Sequence, residues 1–107
     1  MKPKMRLATL LCLVGSTGLA LAATNHPISQ RGRAFVPATV EIAVDEPLPI
    51  QNDDEFVHDL MVNSPDFDFD SGEQQVGQTV EIKFPRPGNY QVLCAIHPKM
   101  RLNVSVK

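Results

Sequence analysis

Apolar residues recur at every second position through most of this chain beyond residue 38. Val40, Ile42 and Val44 alternate with Thr39, Glu41 and Ala43; Val80, Ile82 and Phe84 alternate with Thr79, Glu81 and Lys83; Leu102, Val104 and Val106 alternate with Arg101, Asn103 and Ser105. A period of two sends successive side chains to opposite faces of an extended strand, so each run has one face in a core and one in water. Prolines at 37, 47, 49, 65, 85, 87 and 98, with Gly72, Gly77 and Gly88, break the runs at strand-length intervals. Proline lacks the amide that a sheet interior needs, and glycine permits the backbone angles of turns. No stretch carries a helical stripe. The pattern predicts an all-β fold, a Greek-key sandwich of about seven or eight short strands.

The first residues obey a different rule. Met1-Lys2-Pro3-Lys4-Met5-Arg6 is basic, the run from Leu7 to Ala23 is apolar, and Ala20-Leu21-Ala22 is a small-residue cleavage site. Together they predict a secretory signal over 1–23, cut after Ala22 or Ala23, and hence export to the periplasm. The run is short for a membrane span and no second one follows, so no span is expected. Cys12 leaves with the signal, and Leu11 before it argues against lipoprotein processing. Cys94 then remains as a single thiol in an oxidising compartment, where it must be buried or ligated. Residues 24–32, His26 included, read as a flexible polar tail, and the folded domain as 33–107. With about 85 residues left, the length suits one small domain and a monomer. Seven cations then face all twelve Asp and Glu of the chain, a net charge of −5 in place of −2. That balance argues against nucleic acid as a partner.

The chemistry concentrates in Pro87-Gly-Asn-Tyr90-Gln-Val-Leu-Cys94-Ala-Ile-His97-Pro-Lys-Met100, where a thiol, an imidazole and a thioether fall within seven positions. These are the soft and borderline donors that suit a copper ion cycling between Cu(I) and Cu(II). A copper site of this kind needs a second histidine, and His58 supplies it. Alternation places His58 on one face with Leu60 and Val62, and Cys94 with Val92 and Tyr90, so both point between the sheets. His97 and Met100 come from the loop that closes that end, stiffened by Pro98. Met61 is the competing thioether, but its parity points it away from His58. The metal ligands are therefore read as His58, Cys94, His97 and Met100, around one copper ion.

These residues carry a resemblance. From about Phe35 to Lys107 the chain resembles the cupredoxins, the small blue-copper proteins, and is most similar to the amicyanin and plastocyanin group. The resemblance rests on Asn52-Asp-Asp-Glu-Phe-Val-His58 and on Pro87-Gly-Asn-Tyr90 leading into Cys94-Ala-Ile-His97-Pro-Lys-Met100. The compact spacing of the last three ligands is most like amicyanin. It departs from the family pattern at Val57 and Asp59 around the first histidine, and at Ala95 and Ile96. The resemblance implies the same four ligands, and it implies that Asn52 ties the two ligand loops together.

The functional expectation is an exported protein that shuttles single electrons and is not an enzyme. Copper oxidases and nitrite reductases need further histidines, and the chain has only His26, His58 and His97. A periplasmic copper carrier would use the same ligands. The redox partner, a cytochrome or a dehydrogenase, should dock briefly near His97, where Ile96 and Pro98 form an apolar rim and Lys99 and Arg101 add positive charge. Asp66-Phe67-Asp68-Phe69-Asp70, with Asp53, Asp54 and Glu55, reads in two ways. It is either an acidic docking patch or a strand with both phenylalanines inward and a solvated acidic face.

Overall fold

The computed structural model describes residues 27–107, so the expected signal sequence and His26 lie outside it. The described residues form nine strands and no helix: β1 (Ile28–Gln30), β2 (Phe35–Val36), β3 (Thr39–Ile42), β4 (Leu48–Asn52), β5 (His58–Ser64), β6 (Phe67–Gln74), β7 (Thr79–Ile82), β8 (Gly88–Cys94) and β9 (Arg101–Val106). One sheet has the order β2-β1-β4-β7 and the other β3-β9-β8-β5-β6. The pairs β1–β4 and β3–β9 are parallel and the other pairings antiparallel. The all-β sandwich is as the alternation requires. Ile42, Ile82, Phe84, Leu102, Val104 and Val106 are all buried in one core between the sheets.

One expectation fails at the start of the domain. Ile28–Gln30, expected as tail, is a strand that runs parallel to β4 with Ile28 opposite Ile50. Ile28 and Gln30 are both buried. Three residues carry too little alternation to register as a strand. The burial of Gln30 depends on a partner far along the chain, since its Nε2 donates to Gln74 Oε1 at 2.7 Å. This strand and the two-residue β2 also lift the strand count above seven or eight.

Position in the sheet explains where the ligand candidates sit. β5 lies between β6 and β8 with Leu60 opposite Cys94, so the start of β5 meets the end of β8. The far end is closed by aromatic packing: Phe67 and Tyr90 flank Phe84, with ring centroids 5.4 and 5.0 Å from it. Phe67 and Phe69 are half-buried against the core while Asp66, Asp68 and Asp70 are exposed, so the segment is a strand with a solvated acidic face. At the end that carries His58, β5 and β6 slip in register between Asp59 and Met61. There the Leu60 amide is taken up by Ser71 Oγ at 3.0 Å. Gly72 turns through a positive φ of 70°, which a side chain would resist.

Candidate metal centre

The alternation of β5 and β8 carries His58 and Cys94 into the interior, where their exposures are 0% and 1%. Beyond Cys94 the chain turns sharply. The Ala95 amide donates to Asp59 O at 2.9 Å, which fastens the start of the turn to β5, and the Met100 amide donates to His97 O at 3.0 Å, which closes it. Those two bonds fold His97 back over the other two side chains. His58 Nδ1, Cys94 Sγ and His97 Nδ1 then form a triangle with sides of 3.5, 3.8 and 3.2 Å. Among the described residues it is the one group of three His, Cys, Asp or Glu side chains close enough to share an ion. Met100 is buried, and its residue lines the same opening as His97. Met61 is half-buried on the opposite parity from His58, in keeping with the direction argument.

Three donors pressed this close need a cation between them or a proton shared among them. The hydrogen bond at the far side of His58 decides its tautomer. His58 Nε2 lies 2.9 Å from Asp54 Oδ2. The Asp54 carboxylate also accepts the Gly32 amide at 2.7 Å and the Arg33 amide at 2.9 Å. An ionised carboxylate has no hydrogen to donate, so the 2.9 Å contact requires Nε2 of His58 to carry the ring proton, and Nδ1 then turns its lone pair into the triangle. The Asp59 amide lies 3.5 Å from Cys94 Sγ and donates to it. A point equidistant from the three ligand atoms lies about 2.0 Å from each, against ~2.0–2.1 Å for metal–imidazole and ~2.3 Å for metal–thiolate bonds. The donor set and the size of the triangle both fit a metal ion.

Burial and neighbouring charge act on His97 and on two nearby carboxyl groups. Burial lowers the proton affinity of His97 below the ordinary histidine value, and the nearby His58 and Arg33 lower it further, with Asp54 partly opposing. For Asp54, burial works to raise the carboxyl, but the hydrogen bonds from His58, Arg33 and Gly32 outweigh it and leave it below the usual range. Asp59, next to His58, goes the other way. Its hydrogen bond with Asp70, then its burial, then the charges of Asp70 and Glu73 raise it above the usual range.

Several participants have roles that the sequence hides. Asp54, grouped by sequence with Asp53 and Glu55 as a surface patch, is only 7% exposed. Asn52 is fully buried, but its Nδ2 donates to Phe56 O at 2.7 Å and Gln74 O at 3.3 Å while its Oδ1 accepts the Asp54 amide at 3.0 Å. It braces the loop before His58 against β6, and the tie between the two ligand loops is the Ala95–Asp59 backbone bond instead. Phe56 stands edge-on to His97 with ring centroids 6.0 Å apart, and the Arg33 guanidinium lies 4.2 Å over Phe56. Neither contact leaves a trace in local sequence spacing. His97 itself is half-buried at an opening lined by Arg33, Ile96, Pro98, Lys99 and Met100.

The class to which this architecture belongs follows from solved structures. An amicyanin mutant in its reduced form aligns with a TM-score of 0.71 at 17% identity, over 81% of this chain and 86% of that one. A purple cupredoxin from Nitrosopumilus maritimus aligns with a TM-score of 0.69 at 22% identity, over 78% of this chain and 100% of that one. A copper-containing nitrite reductase from Thermus scotoductus SA-01 aligns with a TM-score of 0.69 at 26% identity, over 78% of this chain, which spans only 22% of that enzyme. No protein-family model and no curated protein matches the chain. The fold is the cupredoxin fold. Its likeness to amicyanin agrees with the resemblance carried by the Cys94–Met100 segment.

Proposed function

We propose that this chain is an exported blue-copper electron carrier in which His58, Cys94, His97 and, weakly, Met100 would hold one copper. The observation that carries the reading is the triangle of two Nδ1 atoms and one Sγ, already of metal-bonding size. Bound copper supplies a one-electron Cu(I)/Cu(II) couple. The protein supplies fixed positions. His58 and Cys94 stand on paired strands under the core, and the two backbone bonds of the 95–100 turn hold His97, so little can rearrange when charge changes. Leu60 and Val92, on the strands that carry His58 and Cys94, are buried, as is Met100; an apolar setting of this kind limits water at a metal and tunes its potential.

His97 offers the path in and out. Its Nδ1 faces inward, which turns the rest of the ring toward the opening, and Phe56 and Ile96 beside it are 39% and 48% exposed. A small apolar rim suits the brief, low-area encounters of redox partners. Arg33 and Lys99 line the same opening, which favours a partner with acidic groups around its own redox centre. A cytochrome or a dehydrogenase would meet this description. The exposed Asp-rich strand argues against nucleic acid as a partner; among the described residues no helix is long and apolar enough to cross a membrane.

The burial of Cys94 and His58 supports retention of copper over delivery of it. A redox titration followed in the visible band separates these. A carrier of electrons should bleach and recover through a single reversible one-electron step with its copper retained in the presence of a competing chelator. Loss of copper to the chelator during the reduced half of the cycle would mean delivery.

A further inference from the structure

We propose that Asp54 is a positioning residue for the copper site: it fixes the tautomer and direction of His58, and its buried negative charge favours the oxidised over the reduced ion. This rests on the copper reading given above. The motive is geometric. Asp54 is 7% exposed, and its carboxylate is met by N–H donors alone: Gly32 N at 2.7 Å, Arg33 N at 2.9 Å and His58 Nε2 at 2.9 Å. No cation side chain neutralises it; its one ion-pair partner among the described residues is His58. A carboxylate behind a ligating imidazole makes the ring a stronger donor and holds its plane. Uncompensated negative charge beside a metal stabilises the more positive of two oxidation states.

The clamp on Asp54 is unusual in its construction. The amides come from a two-residue turn between β1 and β2, closed by reciprocal Arg31–Ala34 backbone bonds of 3.0 and 3.2 Å. Both central residues have positive φ, 62° at Gly32 and 56° at Arg33. For arginine that conformation is unfavourable, and it recurs where surrounding structure requires it. Here it aims two successive amides at one carboxylate, a nest for an anion. The same Arg33 sends its guanidinium over Phe56, which stands edge-on to His97. One turn residue thus supports both histidines, by its amide through Asp54 and by its side chain through Phe56.

Two substitutions separate direction from charge. In Asp54→Asn the remaining oxygen can still accept from His58 and Arg33, so the tautomer should persist while the charge is lost. In Asp54→Ala both are lost. The expected result is that Asp54→Asn favours Cu(I) over Cu(II) by about tenfold more than the parent, read as a rise in potential of about 59 mV for a one-electron couple. Nitrogen NMR of the metal-free proteins near pH 8 should show His58 with its proton on Nε2 in the parent and in Asp54→Asn, and a mixture in Asp54→Ala. A potential for Asp54→Asn within twofold of the parent ratio overturns the charge effect. A metal-free parent whose His58 carries its proton on Nδ1 overturns the positioning. If the parent takes up no copper, the copper reading fails, and the tautomer measurement still decides what Asp54 does to His58. Should Asp54→Ala not fold, the parent and Asp54→Asn decide both points.

Discussion

Replacing Asn52 by alanine should cost far more than its place outside the triangle of His58, Cys94 and His97 suggests. Its amide nitrogen serves Phe56 O and Gln74 O, and its oxygen serves the Asp54 amide. Alanine leaves the Asp54 amide and the Gln74 carbonyl without a side-chain partner in a region where Asn52, Asp54 and Gln74 are all buried. Phe56 is exposed enough for its carbonyl to find water. A buried donor or acceptor left unmade costs ~1–3 kcal/mol, so two of them amount to about 3–4 kcal/mol. Small domains have total stabilities of only ~0.05–0.15 kcal/mol per residue, which makes this a large fraction. At ~4–8 °C per kcal/mol the thermal midpoint of the metal-free protein should fall by about 15–25 °C. Urea unfolding of the metal-free protein measures it, with Gln51→Ala, on the exposed side of the same strand, as a control expected within ~0.5 kcal/mol. A loss below ~1 kcal/mol for Asn52→Ala would show that water or a shifted backbone meets those groups, and that Asn52 does not brace the His58 loop.

Three further outcomes are expected. Cys94→Ser should abolish the intense visible band of the copper protein yet leave the β signal of its circular dichroism in place, because the sandwich core does not depend on one sulfur. Ile96→Glu should slow second-order electron transfer to a redox protein severalfold, with an unchanged visible spectrum, and an unchanged rate would move the docking surface away from His97. The metal-free protein should lose stability as pH falls: His97 holds its proton less tightly in the fold than the ordinary value of 6.5, so the unfolded chain takes up protons first below that pH. Asp54, held below 3.8, adds a second loss in the acid range, while Asp59, raised above 3.8, opposes it. Urea midpoints that stay level or rise from about pH 7.5 to about pH 5 would contradict the His97 assignment.

Residues whose role is set by their own strand are legible in the sequence alone. His58 and Cys94 declare their inward direction by parity with Leu60, Val62, Val92 and Tyr90, and all six are buried as that parity requires. His97 is legible because the loop after Cys94 is short, and the structure brings its ring to His58 and Cys94. What cannot be read there is whatever depends on contacts across the fold. Asp54 looks like one acid among three, and only the turn at Gly32 and Arg33, more than twenty residues earlier, makes it an interior group. Gln30 looks like tail because its partner Gln74 lies 44 residues away. Asn52 stands out by family resemblance, but its bonds run to β6 and its own loop, a matter of which carbonyls happen to be free nearby.

The central claim is that the triangle of His58, Cys94 and His97 holds copper through a thiolate. Stepwise addition of Cu(II) to the metal-free protein, followed by visible absorption, tests it most directly. One equivalent should produce an intense charge-transfer band that saturates sharply and bleaches reversibly with a mild reductant. A protein that stays colourless after one equivalent, or a band that survives in Cys94→Ser, would contradict the account.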